Sequence, residues 1–328
     1  MTEQSLDVVC IGNAIVDVIS HADDAFLDRH DMVKGSMQLI EGDVALALYD
    51  DMPPAIEASG GSAANTAAGI ASFGGKVGFI GKVAGDELGQ VFTHDIRATG
   101  VQYSPPPAPS DHATARCLIL VTPDAQRTMN TFLGVSGLIG PADVDAELVA
   151  RAKVVYCEGY LWDLPDAKAA LLAGMDAARS AGGKVSFTLS DSFCVDRHRG
   201  EFVDLAENHV DILFGNEAEI CSLYETDSFE EAAARVAGHC EIACLTRSEK
   251  GSVIITSDGA RISVPAAPAD LVDTTGAGDL YASGFLYGYT NGLDLEASGR
   301  LASLAAAEVI SHVGARPAVD LTTFLDPA

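Results

Sequence analysis

The chain has 328 residues, of which 47 are Asp or Glu and 20 are Lys or Arg, so its formal net charge is −27. This acidic excess argues against a surface for nucleic acid or anionic membranes, because both need a basic footprint. It does not exclude a phosphorylated ligand, since backbone N–H groups and a metal ion can bind phosphate locally. Hydrophobic residues make up 48% of the chain, as in ordinary globular proteins.

The cysteines and the amino terminus indicate the compartment. Seven scattered cysteines without a Cys-x-x-Cys pair are typical of buried, reduced thiols in a cytosolic protein. The first five residues lack the basic region of a signal peptide. The longest charge-free run, Ala58 to Gly75, is too polar for a membrane span. We therefore expect a cytoplasmic protein.

Short β-branched runs alternate with alanine-rich stretches of helical spacing. Strands are predicted at Val8–Ile11 and near 153–157, 184–189, 210–214 and 242–246. Helices are predicted at Ser62–Phe73, Glu87–Ala98, Asp166–Ser180, Phe229–Gly238, Leu280–Tyr289 and Leu295–Ser311. Consecutive βαβ units of this kind form a mostly parallel sheet with helices on both faces. The predicted fold is therefore a single α/β domain over 1–328, an open sandwich that binds ligands at the carboxyl ends of its strands.

Two stretches, at about 14–40 and about 100–132, interrupt this alternation. Both are predicted to be β-hairpin material without long helices, and Thr114–Pro123 and Gln126–Phe132 would pair through the turn Pro123-Asp124-Ala125. Such strands could form a small β-sheet lid over the carboxyl edge of the parallel sheet. Alternatively, they are antiparallel edge strands of that same sheet. Pro105-Pro106-Pro107 is predicted to be a loop.

The most informative motif is Asp273-Thr274-Thr275-Gly276-Ala277-Gly278-Asp279, directly before an apolar helix. Small residues at a helix start let successive N–H groups converge on an anion, and the helix dipole adds to the attraction. Asp279 would lie in the first turn, where a carboxylate could take the proton of a substrate hydroxyl during phosphoryl transfer. Alternatively, Asp279 only stabilises the helix N-terminus and the glycines serve a tight turn.

Two further groups suit the binding of an acceptor. Gly60-Gly61-Ser62-Ala63-Ala64-Asn65 opens a predicted helix, so a ligand could approach its backbone, although the glycines could simply ease a sharp turn. Asn13 and Asp17 follow the first strand, and an amide with a carboxylate suits the hydroxyl groups of a sugar. Asn and Asp are, however, also common in turns.

A last group follows the strand near 210–214. Asn216 is a good N-cap, and Glu219 stands at the position of a capping-box acid. This structural role is compatible with a functional one, since a carboxylate near a phosphate could hold Mg²⁺ through water.

In this order along the chain, the four groups resemble the ribokinase-like, or PfkB, family of small-molecule kinases, from Val8 to about Pro317. The segment Asp273–Asp279 matches the carboxy-terminal signature of that family without a departure. The resemblance implies ATP-dependent phosphoryl transfer to a primary hydroxyl, with Asp279 as the base and Gly276, Ala277 and Gly278 as N–H donors to the developing charge. It also implies a β lid that closes over the acceptor and excludes water.

The same resemblance implies positions for the nucleotide and for ions. Asn216 and Glu219 would order Mg²⁺ and its waters around the phosphates. Residues along ATP would be Thr246, Gly251, His312 and Gly314. Asp273 and Thr275 stand where some relatives bind K⁺, so the expected cofactors are ATP and Mg²⁺, with K⁺ left open.

The acceptor is less well defined by the motifs, because several relatives hold sugars through the equivalents of Asn13, Asp17, Gly60, Gly61 and Asn65. The segments Gly12–Asp17, Gly60–Asn65 and Ser186–Phe193 are more similar to the adenosine kinase branch. We therefore expect the 5′-hydroxyl of adenosine as acceptor. The alternatives are a sugar kinase for ribose, fructose or a sugar acid, and a non-catalytic nucleoside- or sugar-binding regulator. Monomer and homodimer both stay open.

Two further side chains are candidates for the acceptor site. Tyr160 stands where the adenosine kinase branch places an aromatic residue near the purine, although an aromatic at a strand end is often part of a core. Arg127 would reach the transferred phosphate when the lid closes, or it is a solvated turn residue. The sequence has no P-loop motif, no G-x-S-x-G and no H-E-x-x-H, so it offers no comparable basis for other chemistries.

Overall fold

The computed structural model describes residues 5–104, 108, 112–124 and 126–325. Within these residues the strands form two sheets, one of eight strands and one of five. In chain order the strands are β1 (Leu6–Ile11), β2 (Ile15–His21), β3 (Met37–Leu39), β4 (Ala55–Gly60), β5 (Val77–Ile80), β6 (Ala115–Val121), β7 (Arg127–Phe132), β8 (Ala152–Glu158), β9 (Lys184–Thr188), β10 (Ile212–Asn216), β11 (Ile242–Thr246), β12 (Ser252–Thr256) and β13 (Arg261–Val264).

The larger sheet has the strand order β13-β12-β11-β10-β9-β8-β1-β5. The strands from β11 to β5 pair in parallel, and β11, β12 and β13 pair antiparallel at one edge. The strands predicted near 153–157, 184–189, 210–214 and 242–246 are β8, β9, β10 and β11, which confirms the mostly parallel α/β sheet. Because these strands run in one direction, their carboxyl ends lie at one edge.

The helices agree closely with the predicted ones. All six predicted helices are present, with ends within three residues of the prediction. In chain order the helices are α1 (Asp24–Arg29), α2 (Gly42–Asp51), α3 (Ser62–Ser72), α4 (Glu87–Ala98), α5 (Ala146–Ala150), α6 (Pro165–Ala181), α7 (Ser192–Asn208), α8 (Glu217–Leu223), α9 (Phe229–Val236), α10 (Ala277–Thr290) and α11 (Leu295–Val309). In the part of the chain that the structure describes, no helix has the length and apolar character to span a bilayer.

The larger sheet has a hydrophobic core on each face, because successive residues of a buried strand point to opposite sides. In β1, Val9 and Ile11 belong to the core shared with α5 to α9, while Val8 and Cys10 belong to the core shared with α3, α4, α10 and α11. All seven cysteines are free thiols, and six of them are buried, as predicted.

Helices α3 and α10 lie side by side in direct contact. A Cβ at Gly69 would lie 2.7 Å from Ser283 Cβ, so glycine lets the two helices approach this closely. Their first turns are also joined, because Ser62 Oγ donates a hydrogen bond to Asp279. The helix packing therefore places the motif Gly60–Asn65 beside the motif Asp273–Asp279.

The second sheet has the order β3-β7-β6-β2-β4. The predicted hairpin within 114–132 is confirmed, since β6 pairs antiparallel with β7. The predicted hairpin at 14–40 is wrong: α1 separates β2 from β3, and the two strands pair with β6 and β7 instead of each other. The alternative of edge strands on the larger sheet is also wrong, because these strands form a sheet of their own. Ala125 and the predicted loop Pro105–Pro107 lie outside the described residues.

The two faces of the second sheet have different surroundings. Val18, Leu118 and Leu120 form a small core with α1 and α2 on one face. The opposite face carries Asp17 and Arg127, because side chains alternate along β2 and β7. An ion pair between Arg127 and Asp273 turns this face towards the carboxyl edge of the larger sheet.

Candidate active site

Asp279 lies in the first turn of α10, and its carboxylate is held by helix α3. Ser62 Oγ donates to Asp279 Oδ1 (2.6 Å), and Asn65 Nδ2 donates to Oδ2 (3.0 Å). The N-cap of α10 is Gly276, which has no capping side chain. Burial raises the pKa of Asp279 above its ordinary value, and both hydrogen bonds oppose this shift. Side chains of another helix thus orient the carboxylate, which is the arrangement expected of a base.

The turn before α10 depends on Gly276, whose φ of 79° lies in the left-handed region. A Cβ here would lie 2.7 Å from the carbonyl oxygen of Ala315. The N–H of Ala277 donates to the Thr274 carbonyl (3.3 Å), whereas a Cβ at Gly278 would meet no atom within 4 Å. Gly278 therefore borders open space at the positive end of the helix dipole, where an anion is stabilised.

Asp17 lies on β2, against Gly60 at the end of β4. A Cβ at Gly60 would lie 2.5 Å from Asp17 Oδ2, so the glycine leaves room for the carboxylate. Burial raises the pKa of Asp17 to about 6; Arg127 and Arg316 oppose this rise, and Asp279 adds to it. The carboxylates of Asp17 and Asp279 therefore share one electrostatic environment.

Asn13 follows β1 in a tight turn against Gly61. Gly61 has a φ of 100°, and a side chain there would collide with the Asn13 carbonyl oxygen. The Asn13 amide is buried, with Oδ1 accepting from Ser136 Oγ (2.6 Å) and Nδ2 donating to Glu158 Oε1 (2.6 Å). The side chain predicted to bind hydroxyl groups therefore holds neighbouring residues in place.

Arg127 joins the second sheet to Asp273, the first residue of the signature. Its guanidinium forms an ion pair with Asp273, and its side chain is only 15% exposed. The interpretation of Arg127 as a solvated turn residue is therefore wrong. Asp273 also accepts from the N–H (3.0 Å) and hydroxyl (2.7 Å) of Thr275 and from the N–H of Gly314 (3.2 Å). A monovalent cation at Asp273 and Thr275 would compete with all these donors.

Asn216 ends β10 and caps α8, as its position predicts. The N–H of Glu219 donates to Asn216 Oδ1 (2.9 Å), and the N–H of Asn216 donates to Glu219 Oε2 (3.0 Å), which completes a capping box. Burial raises the pKa of Glu219 to about 7, and Asp191 and Asp279 add to the rise. The charged neighbours of Glu219 are thus carboxylates, and such a site suits a cation.

The predicted nucleotide loop lies beside this capping box. Thr246 stands opposite Asn216 at the ends of β11 and β10. Gly251 closes the loop with a φ of 82°, and a side chain there would collide with the carbonyl oxygen of Val264. The loop is therefore packed against β13 at the same edge of the sheet.

Tyr160 and His312 have different surroundings. The hydroxyl of Tyr160 donates to the Ser190 carbonyl (3.2 Å). Burial raises the pKa of Tyr160, and the charges of Glu219 and Asp279 add to the rise. The Tyr160 ring therefore lies near these two carboxylates. His312 instead hydrogen bonds within its own segment, with Nε2 3.2 Å from a carboxylate oxygen of Glu308.

Four residues of this network were not singled out from the sequence: Ser62, Ser136, Glu158 and Arg316. Ser62 stands inside the Gly60–Asn65 motif, and Glu158 is a charged residue at the end of a buried strand. Both could therefore have been identified from the sequence as candidate site residues. Arg316 carried none, because its Nε contacts Asn65 Oδ1 (3.5 Å) across 251 positions of sequence.

Residues 56–321 match the model of the pfkB family carbohydrate kinases. The chain belongs to this family. The match includes both glycine motifs and the Asn216–Glu219 box, so the family model and the geometry of the edge agree. The kinase therefore transfers a phosphoryl group to a hydroxyl group of a sugar or nucleoside, and kinases of this family use ATP, typically with a divalent metal.

Individual relatives have names of both acceptor classes. The structure is similar to a probable sugar kinase from Rhizobium etli (TM-score 0.92, 53% identity, 98% of both chains). It is similar to the adenosine kinase from Sinorhizobium meliloti (TM-score 0.91, 50% identity, 98% of both chains). The adenosine kinase of Saccharomyces cerevisiae is 28% identical over 94% of this chain and 95% of its own.

Proposed function

We propose that this PfkB kinase transfers the γ-phosphoryl group of ATP to the 5′-hydroxyl of a nucleoside, adenosine first. The observation that carries the proposal is the apolar face of the second sheet around Asp17. That face offers a carboxylate for ribose hydroxyl groups and a hydrophobic surface for a base.

The register of the strands defines this face. Asp17 stands opposite Cys117, Cys117 opposite Thr131, and Thr131 opposite Leu39. Directly opposite residues share a face. The neighbouring row on the same face consists of Ile56, Ile19, Ile119, Met129 and Met37. Apart from Asp17 and Thr131, these two rows are made of side chains without strong hydrogen-bonding groups.

Three apolar side chains of this face are open to solvent, Ile56 with 72%, Met37 with 44% and Leu39 with 57% of its surface exposed. Exposed apolar groups on the same face as the half-buried carboxylate of Asp17, with Ile56 on the neighbouring strand β4, suit a ligand with one flat apolar part and one hydroxylated part. A nucleoside has both parts, whereas a free sugar carries hydroxyl groups around its ring. The name of the Sinorhizobium meliloti relative supports the same acceptor.

In the proposed reaction, Asp17 accepts hydrogen bonds from the ribose hydroxyl groups and Tyr160 borders the base. Asp279 takes the proton from O5′ while this oxygen bonds to the γ-phosphorus and the bond to the departing ADP breaks. Ser62 and Asn65 keep the Asp279 carboxylate oriented during the transfer.

We propose that the nucleotide occupies the other half of the edge. The N–H groups of Gly276 and Gly278 stabilise the charge that develops on the transferred group, and the N–H of Ala277 joins them by leaving the carbonyl of Thr274, to which it donates over 3.3 Å. The residues proposed to line ATP are Asn216, Thr246, Gly251, His312 and Gly314. The second sheet is proposed to act as the lid, with Arg127 beside the phosphates when a substrate is enclosed.

The carboxylates around Glu219, at the carboxyl edge of the larger sheet, suit a magnesium ion. Glu219, whose charged neighbours are Asp191 and Asp279, offers oxygen atoms of the kind that Mg²⁺ prefers. The described residues contain no group of three or more His, Cys, Asp or Glu arranged to hold a metal. Such a site suits an ion held by one carboxylate, water and phosphates, as Mg²⁺ usually is. Bound there, Mg²⁺ neutralises the phosphate charge.

Activity should therefore depend strictly on a divalent metal. Added EDTA should abolish ADP release, and excess MgCl₂ should restore it, because ATP approaches several carboxylates that repel it. NaCl at matched ionic strength is the control and should restore nothing. Undiminished activity in EDTA would contradict the magnesium role.

The acceptor is tested by coupled ADP release with MgATP and a panel of adenosine, other nucleosides, ribose and fructose. We expect turnover of adenosine with the highest kcat/KM. The Asp279→Asn variant, purified in parallel, serves as the blank for contaminating kinases. If kcat/KM is higher with a free sugar than with adenosine, the acceptor is a sugar and the proposal of a nucleoside acceptor is wrong. Ligand binding without turnover of any acceptor would contradict the kinase itself.

A further inference from the structure

We propose that Glu158 is a positioning residue for phosphoryl transfer, whose ionised carboxylate ties the turn at Asn13 to the N-terminus of α3 and thereby holds Asp279 in place. This inference rests on the proposed function and adds how the base is kept in register with the acceptor. Glu158 is not itself exposed to a substrate, since its exposed surface is 0%.

The carboxylate of Glu158 accepts three hydrogen bonds from two separate segments. Oε1 accepts from the N–H (2.8 Å) and Nδ2 (2.6 Å) of Asn13, and Oε2 accepts from the N–H of Ala63 (2.8 Å). The unit is tightly packed, because a Cβ at Gly12 would lie 2.5 Å from the Cβ of Ala63. A carboxylate at the end of β8 thus joins the turn after β1 to the first turn of α3.

The same turn of α3 holds the base. Ser62, next to Ala63 in sequence, donates to Asp279 Oδ1 (2.6 Å), and Asn65 donates to Oδ2 (3.0 Å). A shift of the start of α3 by a few tenths of an ångström would change both hydrogen bonds. Glu158 therefore acts on Asp279 through the position of α3.

The role needs a negative charge on Glu158. Both oxygen atoms accept N–H groups, and a carboxylate is favourable at the N-terminus of α3. Burial raises the pKa of Glu158 to about 7, the three hydrogen bonds oppose the rise, and Asp279 adds to it. The other ionisable groups that face Glu158 have pKa values raised by burial and are neutral near pH 7; they are Cys10, Cys157, Cys194 and Tyr160.

The sign of the pH dependence follows. Glu158 is ionised above about pH 7 and accepts all three hydrogen bonds. Below that pH one carboxyl oxygen of Glu158 carries a proton that points at an N–H donor, and at least one of the three hydrogen bonds is lost. The contribution of Glu158 to the position of α3 therefore decreases as the pH falls through about 7. A glutamine at position 158 has an NH₂ group in place of one carboxylate oxygen, so it also points a donor at an N–H group. It therefore mimics protonated Glu158 at every pH.

The test compares Glu158→Gln with wild type from pH 6 to 8.5, with MgATP and adenosine. At pH 8.5 we expect kcat/KM of the variant to be lower by about 10-fold or more, the scale seen for lost supporting hydrogen bonds. At pH 6 the ratio of wild type to variant should shrink towards one. The ratio isolates Glu158, because Asp17 and Asp279 titrate in both proteins. Each protein is assayed well below its melting temperature.

Glu296→Gln is the matched control, since Glu296 is an exposed acid on α11 paired with Arg300; its ratio to wild type should stay at one. A ratio of one at pH 8.5, or a deficit of equal size at every pH, would overturn the proposal. If Glu158→Gln does not fold, Asn13→Ala removes the Nδ2 donor to Glu158 Oε1 and keeps the backbone donor. It should lower kcat at saturating adenosine several-fold at pH 8.5 and less at pH 6, and an unchanged kcat at pH 8.5 would overturn the proposal as well.

Failure of the proposed function is a separate result. It would appear as an absence of adenosine turnover by the wild-type protein. Wild type and Glu158→Gln would then both be assayed with the acceptor that the panel identifies.

Discussion

Replacement of Asp279 by asparagine should lower kcat by about 10²-fold or more, the scale expected for loss of a general base. Asparagine keeps the size of the side chain and can still accept a hydrogen bond from Ser62, but it cannot take a proton. The KM for ATP should change little, because the proposed base would contact the acceptor hydroxyl and not the nucleotide. Steady-state kinetics with MgATP and adenosine measure both quantities.

Asp294→Asn is a matched control for this experiment. Asp294 is an exposed acid that caps α11 by accepting the N–H of Ala297 (2.7 Å), and asparagine caps a helix equally well. This variant should keep the wild-type kcat. If Asp279→Asn also keeps it, Asp279 only stabilises the start of α10.

The second large effect is expected at Asp17. Asp17→Ala should raise the acceptor KM on the order of 10- to 100-fold, because in the proposed site it removes charge-assisted hydrogen bonds between a half-buried carboxylate and the acceptor hydroxyl groups. kcat at saturating acceptor should fall less than kcat/KM does. Asp43→Ala, which removes an exposed acid of α2 in the same part of the chain, is the control and should leave KM unchanged.

The pH dependence of acceptor binding gives an independent check on Asp17. Its pKa of about 6 means that the carboxylate is ionised at pH 7.5 and protonated at pH 5. Wild-type affinity for the acceptor, measured by calorimetry, should therefore weaken as the pH falls through about 6, and Asp17→Asn should flatten this part of the profile. An acceptor KM that is unchanged in Asp17→Ala would remove Asp17 from the site.

The larger sheet could be predicted from the sequence because each of its strands carries a local signal. β8, β10 and β11 are buried on both faces and therefore read as short apolar runs between helices. The second sheet gave a weaker signal. β3 has only three residues, and the outer part of the edge strand β4 is exposed, so neither has a hydrophobic pattern to recognise.

The motifs of the site were visible in the sequence, but the contacts between them were not. Asp279 and the Gly60–Asn65 segment could each be identified from local spacing. Their hydrogen bonds cross more than 200 positions, and the ion pair of Arg127 with Asp273 crosses 146. Such pairings depend on how α3 packs on α10 and on how the second sheet lies beside the larger one. The spacing of residues along the chain does not reveal this tertiary arrangement.

The glycine contact between α3 and α10 separates access from chemistry in this enzyme. Gly69 lets the two helices pack in direct contact, and their first turns carry Asp279, the proposed base, and the side chains that orient it. Asp17 and Arg127 belong instead to the second sheet. If the proposed lid moves outward to release product, the helix pair keeps its geometry, so each new substrate would meet a proposed catalytic centre that is already assembled.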